Sequence, residues 1–527
     1  PMPKVITCPN EMVALSAAHG FAQVTGQAQA VLVHVECGTQ SLAGAMHNVA
    51  KGRVPVFIFA GASPFTQEGE LKGSRNEFIQ WIQDVFDQRG LVRGYVKYDN
   101  EIRTGKNIKQ LVHRAMQFAH SDPKGPVYLI GAREVMEEEV APQTVDPAHF
   151  PRVSSPALSP DDVAVLADEI ARARRPLVVT SYLGRNQEAT ARLVRLCERV
   201  GMGVFESVPN YVNFPGDHPL YQGNQWNEPA QSRVLGEADV VLVIDSDVPW
   251  IPMVNKPRHD ARIFHIDVDP LKQQMPLWYI PTLRSFRADS AVAIAQLDAH
   301  LAHGQLDAEA VAERTAHYAA LHEERARQLL TLEKPRHDAI TPAYLTAAVR
   351  HHVDESTIVL NEGITNYHTI VDHLGAKRPG SMITSGGGSL GWNGGAAIGV
   401  KLARPNDTVI CLSGDGSYVF SIPEVVHWMA RKYETPFLQV VYNNGGWQAP
   451  RFSTLSVHPD GYASRARDIG LGFEPAPDYS AIAAAAGGAF ARKVKSAADL
   501  EPALRDALHA VRVEKRSAVL DVVLAPI

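Results

Sequence analysis

Short apolar runs alternate with longer segments of helical period along most of the chain. Ala30–Val35, Val54–Ala60 and Gly125–Ile130 have the length and continuity of buried strands, while Glu11–Val24 and Ile108–His120 carry the periodicity of amphipathic helices. The alternation returns at Leu177–Ser181, Val240–Asp245 and Arg262–Asp267, and again at Ser356–Leu360, Thr408–Leu412, Phe437–Tyr442 and Ala518–Leu524. Strands that alternate with helices predict βαβ units and parallel sheets. Two stretches break the rhythm. Glu137–Pro160 opens on three glutamates and carries five prolines, which reads as a linker. Leu301–Lys334 is helical, charged and rich in histidine. The pattern therefore divides the chain into α/β blocks at 1–140, 161–300 and 340–527. Val5-Ile6-Thr7 reads as a further strand, and Ala481–Ala486 as a helix ended by Gly487-Gly488.

Composition narrows the classes. Of 527 residues 45% are hydrophobic and 20% charged, enough for about three domain cores. Lys and Arg number 51 against 57 Asp and Glu, a net charge of -6. That balance speaks against nucleic acid or an anionic membrane as partner. The longest apolar runs fall far short of the ~20 residues of a membrane span. Four cysteines without a CxxC pair fit a reducing, cytoplasmic setting. The opening Pro1-Met2-Pro3-Lys4 shows no signal peptide and has no lead-in, so the natural start is expected upstream.

The clearest chemistry lies in the third block. The apolar run Val409-Ile410-Cys411-Leu412-Ser413 ends in Gly414-Asp415-Gly416-Ser417. A helical segment, Pro423–Tyr433, leads to a second strand that ends in Asn443-Asn444-Gly445-Gly446. Such a layout sets the C-terminal ends of two parallel strands side by side, where open α/β sheets bind ligands. Asp415 offers a carboxylate and Asn444 an amide oxygen, hard ligands suited to Mg²⁺ or Ca²⁺ on a diphosphate.

With 26 residues (Ser417–Tyr442) between Gly-Asp-Gly and the Asn-Asn that ends the second strand, this cassette resembles the thiamine diphosphate enzymes of the acetolactate synthase, pyruvate oxidase and benzoylformate decarboxylase superfamily. The resemblance implies three doubly wound parallel-sheet domains: pyrimidine-binding, central and diphosphate-binding. The first would lack its N-terminal strand and helix. It implies thiamine diphosphate and Mg²⁺ as cofactors, with Asp415, Asn444 and the Gly446 carbonyl as metal ligands and Gly414, Gly416 and Ser417 around the diphosphate. Glu11, in Asn10-Glu11-Met12-Val13-Ala14, matches the family's glutamate that bonds N1′ of the aminopyrimidine. In Thr384–Gly399, Gly388 would meet the 4′-amino group and Leu390 would wedge the bent cofactor. Asn361 and Gly363 would add diphosphate contacts.

The substrate side departs from the acetolactate synthase pattern, because Glu36-Cys37-Gly38 stands where such relatives carry Gly-Pro-Gly. His34 aligns with a proton-transfer histidine of benzoylformate decarboxylase-like members, and Gln83 falls near an active-site glutamine. Gln448 is expected at the substrate pocket. His34 and Glu36 would share a face only if the strand persisted to residue 36. The implied activity makes or breaks a C–C bond beside a small-molecule carbonyl: acetolactate synthase-like carboligation of 2-oxo acids, or else decarboxylation or lysis of 2-oxo acids, 1,2-diketones or 2-hydroxyacyl thioesters. A non-catalytic cofactor-binding paralogue is the remaining reading, and Glu11 speaks against it. The resemblance further implies a homo-oligomer, a dimer at least and commonly a tetramer, with the cofactor between the first domain of one chain and the third of another. Some relatives bind FAD or a nucleotide in the central domain. Here Ile244–Trp250 replaces the expected Arg-bearing loop, which speaks against FAD.

Overall fold

The structure, a computed structural model, describes residues 3–227, 229–466 and 468–526. Three parallel sheets with flanking helices make an α/β fold. The first sheet holds β1 (Gln29–Val33), β2 (Val56–Ala62), β3 (Tyr98–Ile102) and β4 (Pro126–Ala132) in the order β1-β2-β4-β3. In register, Val31 pairs with Ile58 and Ile58 with Tyr128. The second sheet holds β5 (Pro176–Thr180), β6 (Gly203–Ser207), β7 (Tyr221–Gln225), β8 (Val240–Ile244), β9 (Arg262–Asp267) and β10 (Arg284–Arg287), ordered β10-β9-β8-β5-β6-β7. The third contains β11 (Thr357–Glu362), β12 (Met382–Ile383), β13 (Thr408–Gly414), β14 (Leu438–Asn443), β15 (Phe490–Val494) and β16 (Ala518–Val523).

The continuous apolar runs became the inner strands because a parallel strand covered on both faces has no polar side to expose. All residues of β4, β5, β8 and β14 are buried. Helix starts follow local capping: Asn10, Ser159, Thr341 and Asp478 each accept a backbone N–H in the first turn. The expected strand at Val5-Ile6-Thr7 does not form. That segment is irregular, and Thr7 instead donates its N–H to the Tyr433 hydroxyl and accepts the hydroxyl at its carbonyl, at 2.7 and 2.8 Å.

The chain packs as two compact units. One comprises Pro1–Ser154, Ser385–Lys493 and Arg505–Val522; the other comprises Ser155–Thr384, Val494–Leu504 and Val523–Ile527. In the first unit, helix Glu11–Thr25 covers the β1-β2-β4 core through Leu15, Ala18 and Ala22. In the second, the core gathers β5, β6, β8 and β9 under helices Pro160–Arg172, Gln187–Val200 and Ser290–His303. No helix of the described residues is long and apolar enough to cross a membrane.

Candidate active site

In the first unit β13 and β14 run parallel with Ile410 opposite Leu438 and Gly414 opposite Tyr442, so both strands end at one level. Asp415 leaves β13 there and opens helix Asp415–Phe420. Its Oδ1 accepts the Gly416 N–H at 2.8 Å and its Oδ2 the Gly446 N–H at 2.9 Å. The carboxylate is buried and has no ion-pair partner among the described residues, and burial pushes its pKa up to about 6 against the pull of those N–H groups. Asn444 Oδ1 is also buried and has no hydrogen-bond partner, an arrangement that costs stability unless something fills it. The preceding Asn443 differs: its amide donates to Asp521 at 2.8 Å and its oxygen accepts Gly445 N–H, so it holds the loop.

The loop itself needs glycine. Gly446 sits at φ 146°, and a Cβ there would lie 2.2 Å from the Leu471 carbonyl oxygen. Its carbonyl accepts the Gln448 N–H at 3.1 Å, which leaves a second lone pair. A lone carboxylate, an orphaned amide oxygen and this carbonyl are an oxygen-only donor set, and it fits Mg²⁺. Among the described residues no trio of His, Cys, Asp and Glu gathers as a metal cluster. Two of the three donors at this loop are amide oxygens rather than ionisable side chains. Gly414 ends β13, and Ser417 is buried in the first turn that follows.

The Gly-rich loop before helix Trp392–Ala403 is clamped from the first sheet's side. Asn48 donates to the Ser389 carbonyl at 2.8 Å and accepts the Ser389 N–H at 3.1 Å, fixing the backbone between Gly388 and Leu390. Gly388 is exposed and Leu390 half-buried, so both can meet a ligand. Asn48 escaped the sequence reading because a lone Asn in a helix carries no motif. Helix Glu11–Thr25 crosses helix Trp392–Ala403 at backbone contact: a Cβ on Gly20 would lie 2.4 Å from the Ala396 oxygen, and one on Gly399 1.9 Å from the Ala17 oxygen. Both helices belong to the first unit.

Glu11 is the first residue of its helix, and its Oε1 lies 3.3 Å from where a Gly38 Cβ would be. That places its carboxylate over the turn that follows β1. The strand does not persist to residue 36. It ends at Val33, Val35 turns the chain at φ 31°, and helix Val35–Ser41 begins. A β-branched residue at positive φ is strained and is held there by its surroundings. His34 immediately precedes this helix, makes no capping hydrogen bond and is exposed. Its Nε2 lies 3.2 Å from Oε1 of the buried Gln83, so two residues distant in sequence form one pair. Glu36 is buried. It accepts the Cys37 thiol at 2.9 Å and the Gln40 amide, and that bond raises the thiol's pKa and keeps it protonated.

Gln448 starts helix Gln448–Val457 and lines a cavity of about 380 Å³ with Arg451, Ile469 and Leu471. This cavity adjoins the Asn443–Gly446 loop, since Trp447 N–H donates to the Leu471 carbonyl at 3.0 Å. Asn361 and Gly363 lie in the second unit. Both ends of the Asn361 amide close its own loop, accepting Gly363 N–H at 3.0 Å and donating to the Tyr367 carbonyl at 3.3 Å.

The chain matches the N-terminal TPP binding domain of thiamine pyrophosphate enzymes over residues 2–91, their central domain over 163–275 and their C-terminal TPP binding domain over 363–522. It is 24% identical to a probable acetolactate synthase large subunit of Methanocaldococcus jannaschii, across 98% of this chain and 85% of that protein. It is 26% identical to a benzoylformate decarboxylase of Pseudomonas aeruginosa, across 95% and 89%. In fold it resembles a thiamine diphosphate-dependent 4-hydroxybenzoylformate decarboxylase of Rhodococcus jostii, with TM-score 0.77 and 22% identity over 99% of this chain and 92% of that one.

Proposed function

The chain belongs to the thiamine pyrophosphate enzymes, and we propose that it cleaves the C–C bond beside the carbonyl of a 2-oxo acid, releasing CO2 and protonating the carbon left behind. The observation that carries this reading is the His34–Gln83 pair at 3.2 Å on the turn beneath Glu11. Bound at this site, thiamine diphosphate supplies the nucleophilic carbon and the electron sink for the breaking bond. Mg²⁺ would be held by Asp415, Asn444 Oδ1 and the Gly446 carbonyl, tying the diphosphate to the ends of β13 and β14. Glu11 would hold the proton at N1′ of the pyrimidine, and Gly388 and Leu390 would receive that ring. His34, oriented by Gln83, would deliver the proton to the product carbon. Gln448 would line the side of the pocket nearest the metal loop.

Carboligation of the acetolactate synthase type is the second reading, and the match across 98% of the chain to a probable acetolactate synthase favours it. Both readings share the loss of CO2 and differ in what takes up the remaining carbon, a proton or a second carbonyl. Product analysis with a panel of 2-oxo acids separates them. One aldehyde per CO2 supports decarboxylation, a 2-hydroxy ketone or 2-hydroxy acid supports carboligation, and no CO2 from any member defeats both. A pure cofactor-binding paralogue has no use for a carboxylate that activates the pyrimidine.

The working form is proposed to be a homo-oligomer, a dimer at least. Phe65, Phe78, Trp81, Ile82 and Phe86 are exposed within two dozen residues of the first unit, a density that a monomer rarely shows. A second copy of the chain is the partner proposed for this surface.

A further inference from the structure

The central sheet has the strand order of a doubly wound dinucleotide-binding fold, with its switch point between β5 and β8. Ligands of such sheets bind outside the carboxyl ends of those two strands. In this chain that crevice is already full. Lys272, from the segment that follows β9, is completely buried there, with Nζ 2.6 Å from Asp267 Oδ2, 2.9 Å from Asp247 Oδ1 and 2.8 Å from the Tyr182 hydroxyl. Tyr182 donates in turn to Asp267. Beside them Asp245 pairs with Arg185 at 3.4 Å and accepts the Ser290 hydroxyl at 2.6 Å. Trp278 closes the segment down by donating its indole N–H to the Asp247 carbonyl at 2.6 Å.

We infer that Lys272 and its segment are a built-in occupant of this crevice, so that the central domain takes neither FAD nor an adenine nucleotide. Two further observations point the same way. Four backbone donors of the turn after β5, where a phosphate would bind, are spent internally. Ser181 and Tyr182 N–H both donate to the Asp245 carbonyl at 3.1 and 3.0 Å, Gly184 N–H donates to Asn213 Oδ1 at 2.8 Å, and Arg185 N–H donates to the Tyr182 carbonyl at 3.2 Å. The charges are also of the wrong sign. Asp245, Asp247 and Asp267 outnumber Lys272 and Arg185, so a diphosphate would enter an already negative site. Lys272 and Asp245 are held at φ 50° and 48°, strained positions that the surrounding network maintains.

The test uses the full chain. The purified protein is denatured and the supernatant analysed for flavins and adenine nucleotides, and the native protein is titrated with FAD and with ADP by calorimetry. The expected result is no released flavin or nucleotide and no saturable heat. One equivalent released, or saturable binding of either compound, overturns the inference. A second measurement addresses Lys272 itself. Lys272→Ala should unfold at a lower temperature than the parent, and excess propylammonium should raise its midpoint while leaving the parent unchanged. A variant as stable as the parent, or one that propylammonium affects no more than the parent, defeats the assignment of Lys272 as the occupant. If the variant does not fold, the titrations of the parent chain decide the question.

Discussion

At the scale of single residues the account rests on Asp415, whose burial without a cation raises its pKa to about 6, above the value of 3.8 for a free side chain. Because the folded-state value lies above the unfolded one, the protonated form favours the fold. The contribution of Asp415 to the stability of the metal-free protein should be greatest below about pH 4 and be lost as the pH rises through about 6, roughly 3 kcal/mol in all. Asp415→Asn should flatten that slope in urea melts followed across pH; an unchanged slope would show that another group causes it. Metal affinity should run in the opposite direction, rising through pH 6 as the carboxylate ionises. Asp415→Ala should abolish Mg²⁺-dependent cofactor binding in calorimetry. His34 makes a separate prediction. His34→Ala should slow product protonation by about 10²–10⁴-fold while cofactor affinity holds, and Gln83→Ala should do the same more weakly and shift the pH profile. Unchanged rates in both would remove the pair from the chemistry. The place of Asp415 and Asn444 at the ends of β13 and β14 was legible, because both sit at fixed offsets from apolar runs. The His34–Gln83 contact was not, because it joins loops nearly fifty residues apart. Nor was the orphaned oxygen of Asn444, which only the packing reveals.

At the scale of elements, most inner strands were legible and most edge strands were not, although the edge strand β1 was expected as Ala30–Val35 and the inner β6 was missed. β3, β7 and β10 lie at sheet edges and read Tyr-Asp-Asn-Glu-Ile, Tyr-Gln-Gly-Asn-Gln and Arg-Ser-Phe-Arg, without the two-sided apolar run that burial imposes on β4 or β8. The turn at Val35 was equally hidden. Val-His-Val continues the alternation of β1, and only the strained φ of Val35 ends the strand and sends Glu36 inward. The crossing of helices Glu11–Thr25 and Trp392–Ala403 offers a direct test of how these elements place the site. With the Ala17 oxygen 1.9 Å from a Cβ at Gly399, Gly399→Ala should force the helices apart and cost about 3 kcal/mol, read as a lower urea midpoint. Cofactor affinity should fall with it, since the Gly388–Leu390 loop leads into that helix. Full stability in the variant would mean that the crossing is looser than the structure shows.

At the scale of the whole molecule, the three α/β blocks were visible in the periodicity, and the motifs assigned the two outer ones to a cofactor. What periodicity does not carry is which surfaces meet. The exposed cluster from Phe65 to Phe86 includes Phe78-Ile79, Trp81-Ile82 and Phe86, and in a linear pattern it is indistinguishable from a buried helix. If a second copy covers it, the chain should run as a dimer or larger in sedimentation experiments. Phe86→Glu should then shift it towards the monomer at low protein concentration. A parent chain that is monomeric at all concentrations contradicts the proposed assembly.

The most direct test of the account is to mix the enzyme with thiamine diphosphate, Mg²⁺ and a 2-oxo acid, quench in acid within a turnover, and examine the cofactor by proton NMR. The account predicts a substrate-derived group at C2 of the cofactor in the parent chain. It predicts unmodified cofactor, still tightly bound, in Glu11→Gln. Unmodified cofactor in the parent with every 2-oxo acid tried, despite tight binding, would contradict it.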